Sequence, residues 1–330
     1  MTKLCLIGCG GMSRYVHGPS HKKLRAEGLA ELAACCDLDG EKAQQYAADF
    51  GWARVYMDYR EMLEKEHPDG VMIVVPERAT CALACAVMRL GYPIAIEKPP
   101  GVTAEETEEI CRVSGDLRQG CAVFFNRRFC PSILIMKERL QALDYNPAAA
   151  HFSCRFERLN RREADFPSTA IHGIDTLQYI AGSPYKEVRI FYQEQPFLGK
   201  GVVAYHLQCR FENGATGTLA FLPNGGRMEE VYTAHFPGHR LEAAVDIQRP
   251  DGKGYFTHLQ EHEVIEHMEA HQLSEQLDYY INGGFYAESA AFAVWLAERE
   301  GGTCSSPVTT ALQAARIADA LRRRAGEICF

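Results

Sequence analysis

Long basic runs are scarce in this sequence of 330 residues. The longest is Arg322 to Arg324, and the formal charge at pH 7 is −8, with 35 basic against 43 acidic residues. Proteins that bind nucleic acid gain affinity by neutralising phosphates with clustered lysine and arginine. An acidic chain without such a cluster therefore predicts no nucleic-acid partner.

Long apolar runs and C-x-x-C cysteine pairs are also missing. No hydrophobic stretch approaches the roughly 20 residues that cross a membrane, which predicts no membrane partner. A strand pattern begins by residue 3, which leaves no space for a signal peptide ahead of it. The 13 cysteines are scattered and odd in number, which favours free thiols in a reducing compartment over a disulfide framework. We expect a cytoplasmic protein.

The first 126 residues alternate short apolar runs with helical patterns. The apolar runs are continuous, which is typical of parallel strands buried on both faces. This alternation predicts a doubly wound parallel sheet, a Rossmann domain, over residues 1–122. The predicted strands are 3–7, 30–36, 54–57, 70–75, 92–96 and 121–125, and the predicted helices are 39–50, 59–66, 79–90 and 103–117.

The pattern changes after residue 126 to longer strands separated by turn residues, which predicts a mostly antiparallel sheet. We therefore expect an α+β domain with a large open sheet over residues 123–330. The predicted strands are 150–157, 186–193, 201–211, 215–222, 229–236 and 239–248, and the predicted helices are 167–181, 285–300 and 307–325.

A glycine turn follows the first strand directly and opens a helix. Gly8 allows the tight turn, Gly10 lets the backbone approach a pyrophosphate, and Ser13 supplies the small third residue. The free N–H groups at the helix N-terminus suit phosphate oxygens. We assign this turn to cofactor binding, together with three residues at the ends of the fourth and fifth strands. The assigned residues are Gly8, Gly10, Gly11, Met12, Ser13, Val75, Pro76 and Glu97.

Asp37 ends the second strand, where a carboxylate accepts from ribose hydroxyls and repels a 2′-phosphate. This favours NAD over NADP. Arg14, Lys22 and Lys23 lie nearby in sequence and leave NADP open. Another interpretation makes Asp37 a helix N-cap or a loop acid.

Lys98 lies at the carboxyl end of the fifth main strand, in the stretch IAIEKPPG. Ligands of doubly wound sheets bind outside that end of the strands. A lysine there suits proton exchange with a substrate hydroxyl while a hydride moves to the nicotinamide. Glu97 either orients the lysine or lines the cofactor site. The alternative is an exposed Glu–Lys pair of little consequence.

Four motifs in order resemble one known family. They are the G-x-G-x-x-S turn, EKP at 97–99, NRRF-x-P at 126–131 and HGID at 172–175. Together they are similar to the glucose–fructose oxidoreductase, inositol dehydrogenase and MocA family over nearly the whole chain. The resemblance implies a Rossmann domain, an open-sheet domain used for homodimer or homotetramer contacts, and sugar or inositol substrates. It also implies that Lys98 lies near the nicotinamide, often with a cis bond before its proline.

The resemblance makes His172 a catalytic or substrate-hydroxyl partner of Lys98, and Asp175 a substrate-binding or supporting acid. These two residues are three apart in a predicted helix and therefore share a face; without the resemblance, a buried histidine tied to its helix neighbour is the simpler reading. The family commonly has an aspartate four residues before this histidine, where this chain has Ser168. Asp165 would share the helix face if the helix reached it, and otherwise acts as an N-cap.

The segment 261–271, EHEVIEHMEAH, is rich in potential metal ligands. Glu263, His267 and His271 would fall on one face if the segment were helical. A solvated polar stretch is the better interpretation, and a substrate loop is another. We predict no metal site.

The sequence thus predicts an NAD(P)-dependent oxidoreductase that transfers a hydride between a nicotinamide cofactor and a sugar, inositol or related polyol. Two alternatives remain. One is a redox-neutral enzyme that oxidises a sugar or glycoside transiently and then returns the hydride. The other is a non-catalytic regulator that binds NAD or a sugar, which Ser168 keeps open.

Overall fold

The chain forms two compact units in a computed structural model that describes residues 1–117, 120–163, 165–245, 247, 254–298 and 304–330. The first unit joins Met1–Asn126 with Gly284–Leu312, and the second joins Arg127–Gly283 with Gln313–Phe330. The predicted division into 1–122 and 123–330 has a single break. The structure instead groups a segment close to the C-terminus with the first unit.

The first unit contains the predicted doubly wound sheet. Its strands are all parallel and lie in the order β3-β2-β1-β4-β5-β6. Outside the edge strand over residues 54–56, nearly all strand residues are buried, as the continuous apolar runs predict. The strands are β1 (Thr2–Ile7), β2 (Ala30–Cys36), β3 (Arg54–Tyr56), β4 (Gly70–Ile73), β5 (Ile94–Glu97) and β6 (Cys121–Phe124).

The first helical segment follows the glycine turn without interruption. A π-helical turn over Ser13–His17 continues into α1 (Gly18–Ala26), and Pro19 occupies the first turn of α1. Gly18-Pro19 does not interrupt this helical segment, because a proline in a first helical turn costs no hydrogen bond. The remaining helices of this part are α2 (Gly40–Phe50), α3 (Tyr59–Glu66), α4 (Glu77–Arg89) and α5 (Ala104–Leu117).

The second unit contains the predicted antiparallel sheet. Among the described residues it has nine strands in the order β14-β13-β12-β11-β7-β10-β9-β8-β15, and only β7 and β10 pair in parallel. The strands are β7 (His151–Glu157), β8 (Tyr185–Glu194), β9 (Val203–Phe211), β10 (Thr216–Leu222), β11 (Glu229–Phe236), β12 (His239–Val245), β13 (Tyr255–Gln260), β14 (Glu263–Glu269) and β15 (Glu327–Cys329).

Helices complete both units. They are α6 (Pro131–Ala142), α7 (Pro167–Ala181), α8 (Ala270–Leu273), α9 (Tyr279–Asn282), α10 (Phe285–Ala297) and α11 (Leu312–Arg322), with 3₁₀ turns at Asn126–Phe129, Pro147–Ala149 and Val308–Ala311. The predicted helix at 167–181 is confirmed, while β13, β14, β15 and α6 were not predicted. Residues 246, 248, 299 and 300, at the ends of two predicted elements, lie outside the described residues.

Helix α10 belongs to the first unit because it packs on the parallel sheet. The Thr2 hydroxyl donates to the Ala293 carbonyl at 3.0 Å, and Phe292, Ala293 and Leu296 share a core cluster with strand residues such as Leu4. No helix in the described part of the chain is both long and apolar enough to cross a membrane.

Candidate active site

The glycine turn after β1 has the geometry that a dinucleotide requires. Gly8 has φ +101°, and a Cβ there would lie 2.1 Å from the Val74 carbonyl oxygen, so only glycine fits. At Gly10 and Gly11 an added Cβ would meet nothing within 4 Å. This open space borders the N–H groups of the helix start, where a pyrophosphate binds.

The other residues assigned to the turn divide into two kinds. Met12 is 48% exposed. Ser13 is fully buried, and its hydroxyl lies 3.2 Å from the Tyr46 hydroxyl. A small buried side chain at this position lets the helix pack closely on the sheet, and the assignment of Ser13 to the cofactor-binding turn stays a prediction.

Asp37 supports the turn directly. Its Oδ2 accepts from the Cys9 N–H at 2.8 Å, and its Oδ1 accepts from the Asp39 N–H at 3.0 Å. The helix N-cap of α2 is Asp39, which accepts from the Lys42 N–H, so the N-cap interpretation of Asp37 is wrong. A carboxylate has about four acceptor positions. Asp37 therefore retains capacity for ribose hydroxyl donors, and the turn fits NAD.

The basic residues near the turn give NADP little support. Arg14 forms an ion pair with Asp49, and Lys23 Nζ lies 2.7 Å from Glu27 Oε1. Because acids already neutralise these two side chains, they are poor partners for a 2′-phosphate.

We predict that Asp37→Ser lowers NADH affinity at least about tenfold, because a hydrogen bond to a charged acceptor is lost. NADPH affinity should fall less, since the repulsion of its 2′-phosphate is also removed. Fluorescence titration with both nucleotides measures this. Asp39→Ser is the matched control, because serine also caps a helix. Equal losses of NADH affinity in both variants would contradict a special role for Asp37.

Val75 and Pro76 follow β4 at the same edge of the sheet. Val75 is half-buried, and its Cγ1 would lie 3.1 Å from a Cβ at Gly8. Pro76 is exposed and precedes the first residue of α4. These positions agree with their assignment beside the turn, which remains a proposal.

Lys98 follows β5 at this edge and is half-buried. Its peptide bond to Pro99 is cis, as the resemblance implies. The preceding Glu97 has both oxygens occupied: Oε2 accepts from the Lys98 N–H at 3.0 Å, and Oε1 lies 2.7 Å from His17 Nε2. Burial alone would raise the pKa of Glu97, but His17 and Lys98 hold this pKa below its ordinary value. Glu97 is thus an ionised, fixed carboxylate, which supports an orienting role.

His172 and Asp175 lie on α7 in the second unit, and both are buried. The helix approaches the sheet closely at Gly173, where a Cβ would lie 2.7 Å from Phe221. Asp175 has no exposed surface, and both its oxygens accept from the Arg128 guanidinium, one of them at 2.8 Å from Nε. The carboxylate thus neutralises Arg128 and ties α7 to the Asn126–Phe129 turn, which favours the supporting role over direct substrate contact; its assignment to substrate binding stays a prediction.

Neither Ser168 nor Asp165 takes the place of the aspartate that the family commonly has four residues before the histidine. The Ser168 hydroxyl donates to the Asp165 carbonyl at 2.8 Å, within its own turn. Asp165 precedes the helix, does not cap it, and accepts from Arg322 Nε at 2.7 Å. Both expectations for Asp165, a place on the helix face and an N-cap, are therefore wrong.

The ligand-rich segment 261–271 is mostly strand. Glu263 and His267 lie on β14, while His271 lies on α8, so the three do not share a helix face. β14 pairs with β13. The strand pattern of β14 was missed because polar residues dominate this segment. No cluster of three metal-ligating side chains occurs among the residues that the structure describes.

Comparisons with known proteins now decide the family. Residues 2–125 match the NAD-binding Rossmann domain of the GFO/IDH/MocA oxidoreductases, and residues 166–327 match their C-terminal alpha/beta domain. The chain belongs to the GFO/IDH/MocA oxidoreductase family. The glycine turn and Asp37 thus belong to an NAD-binding Rossmann domain of an oxidoreductase.

Individual GFO/IDH/MocA members are distant in sequence. The rhizopine catabolism protein MocA of Rhizobium meliloti is 24% identical over 77% of this chain and 81% of its own length. The D-glucoside 3-dehydrogenase of Escherichia coli is 30% identical over 42% of this chain and 38% of its own length. An Agrobacterium radiobacter oxidoreductase, solved with NAD+, L-tartaric acid and magnesium, has a TM-score of 0.79 and 18% identity, covering 99% of this chain and 98% of that chain.

Sequence reasoning missed two buried side chains, one in each unit, that pair with assigned residues. His17, which contacts Glu97, lies four residues after Ser13, and nothing in its spacing indicates a partner 80 residues away. Arg128 belongs to the NRRF-x-P motif, which by itself indicates no partner for it. A buried acid such as Asp175 requires a cation, and this requirement was the available signal.

Proposed function

We propose that this protein is an NAD-dependent dehydrogenase of a sugar, inositol or related polyol. The observation that carries the proposal is the position of Lys98, at the carboxyl edge of the parallel sheet that also bears the glycine turn and Asp37. Active sites of doubly wound sheets form at that edge. The names of the MocA and glucoside dehydrogenase relatives support the substrate class.

Oxidation of a secondary alcohol removes a hydride from the carbon that bears the hydroxyl and a proton from the hydroxyl oxygen. The nicotinamide of bound NAD+ supplies the hydride acceptor. Lys98 Nζ, in its neutral form, takes the proton from the substrate hydroxyl and returns it during reduction. Glu97 holds its carboxylate beside Lys98 through the backbone bond and thereby orients the strand end.

We assign His172 to the same proton transfer, as the second titratable group of the reaction. Histidine suits this role because its ordinary pKa lies near neutrality. Asp175 stabilises the position of α7 by its ion pair with Arg128. The assignment of His172 rests on family membership and is tested by His172→Asn, which should lower turnover and leave NADH affinity unchanged.

The test is a substrate screen with NAD+ and with NADP+. The purified protein is mixed with inositols, free hexoses and hexosides, and NADH formation is followed by absorbance. Steady NADH production with one of these classes supports the proposal. Product formation without NADH release, with cofactor retained through gel filtration, would favour the redox-neutral alternative. Tight NADH binding without turnover on any of these classes would favour a regulator and overturn the enzyme proposal.

We propose that the second unit also mediates homodimer or homotetramer formation. Cys154 and Phe156 of β7 contact α7 near Gly173, so Arg155 faces the opposite side of the sheet. There Arg155 pairs with Glu229, and Arg210 pairs with Glu187 on the neighbouring strands. A broad sheet face that carries both arginine and glutamate side chains can pair with the same face of a second copy in a symmetric interface. Analytical ultracentrifugation should show a species of at least twice 36.9 kDa.

We propose a cytoplasmic location because the cysteines of the parallel sheet are buried free thiols. Cys5, Cys35 and Cys121 are almost fully buried in the parallel sheet, and burial raises the pKa of Cys5 to about 12. Such cysteines act as small apolar core residues, which suits a reducing compartment.

A further inference from the structure

His17 is a buried histidine that the dehydrogenase chemistry does not use. It ends the π-helical turn that follows the glycine turn and has no exposed surface. Single π-helical turns inside helices frequently occur at functional sites, because they redirect a side chain that a regular helix would point elsewhere. Here the redirected side chain reaches across the sheet edge to the end of β5.

The contact between His17 and Glu97 has a defined polarity. Glu97 is ionised and can only accept, so His17 Nε2 carries the proton of the 2.7 Å bond. Glu97 Oε2 accepts from the Lys98 N–H. Each carboxylate oxygen therefore has one hydrogen-bond donor. One donor is the His17 ring, in the helical segment after the glycine turn, and the other is the backbone N–H of Lys98.

Aromatic rings pack around His17, and helix α10, which carries the buried acid Glu288, packs against its π-helical turn. The rings of Phe124, Phe285 and His21 lie 5.2 to 5.9 Å from the His17 ring, centre to centre. Burial and the proximity of His17 lower the pKa of His21 well below its ordinary value, so His21 is neutral. The neighbours that lower the pKa of Glu97 are His17 and Lys98.

We propose that His17 is a positioning residue for Lys98: by donating to Glu97 it keeps a negative charge beside the lysine and links the dinucleotide helix to the strand that carries it. Without this donor, a buried carboxylate takes up a proton or moves away. Lys98 then loses its anionic neighbour and loses its proton at lower pH. The catalytic role of Lys98 rests on the proposed function, whereas the coupling of His17 to Lys98 does not require turnover.

The test is the titration of Lys98 in the full-length protein, with and without NADH. Protein labelled with [ε-¹³C]lysine gives a lysine signal that moves on deprotonation, and Lys98→Arg identifies the signal of Lys98. We expect His17→Leu and Glu97→Gln to lower the Lys98 midpoint by about one pH unit, as loss of a nearby opposite charge does. His17→Gln should restore the wild-type midpoint, because the glutamine amide can replace the Nε2 donor.

His21→Leu is the matched control, because His21 is equally buried on the same helical segment but its ring nitrogens make no hydrogen bond among the described residues. Its Lys98 midpoint should equal that of the wild type. Equal midpoints in all variants, or equal shifts in His17→Leu and His21→Leu, would overturn the proposal. If His17→Leu does not fold, an unchanged midpoint in Glu97→Gln overturns it equally. A shifted midpoint in a protein that oxidises no polyol would leave the coupling intact and refute the dehydrogenase proposal alone.

Discussion

Replacing Lys98 by methionine should lower turnover by about a thousandfold, within the range that general acid–base groups contribute. Methionine keeps the length of the side chain but carries no proton, so the packing beside Glu97 is largely retained. NADH affinity should not fall comparably, because the turn at Gly8 and the carboxylate of Asp37 are untouched. The turnover number is measured on the best substrate of the screen, and NADH affinity by fluorescence titration.

A surface lysine provides the control for this variant. Lys65 is 60% exposed and pairs with Glu61 one helical turn away, an arrangement worth little to stability or function. Lys65→Met should therefore retain wild-type turnover. Full activity in Lys98→Met on a true substrate would show that the proton passes through another group, and the role of Lys98 would have to be abandoned.

Replacing Asp175 by leucine should destabilise the protein by about 3–5 kcal/mol, because it leaves the Arg128 guanidinium buried without its counter-charge. Arg128 is 6% exposed and donates to both Asp175 oxygens. The melting temperature, followed by circular dichroism, should fall on the order of 10 °C. The double variant Arg128→Met/Asp175→Leu should recover much of this loss, since an apolar pair can replace a buried ion pair.

Asp165→Leu is the comparison for Asp175, because it removes an acid near the same helix whose pair with Arg322 is exposed. Its effect should be about 0–1 kcal/mol. The variant Asp175→Asn tests whether Asp175 also binds substrate. If Asp175 bound substrate, this variant would lose turnover at an unchanged melting temperature, which would contradict the structural role argued above.

Much of the parallel sheet was predictable because burial on both faces leaves a continuous apolar signal. The predicted strand 30–36 agrees with β2 residue for residue, and the helix 167–181 agrees with α7. The β13–β14 hairpin was missed because β14 is largely exposed and polar, so its strand period carries no apolar contrast. Helix α10 could be predicted as a helix, but its sequence does not say which sheet it packs on.

The sequence by itself determined the alternation of strands and helices in the Rossmann domain, the glycine turn, the strand-end position of Lys98 and the resemblance to the family, because each depends on local pattern and spacing. Only the tertiary structure decided what the charged side chains do. Asp175 pairs with Arg128, 47 residues away, and Glu97 pairs with His17, 80 residues away. Such pairs form because a buried charge must find a counter-charge or donor, and the chain meets that need with whichever partner the fold brings near.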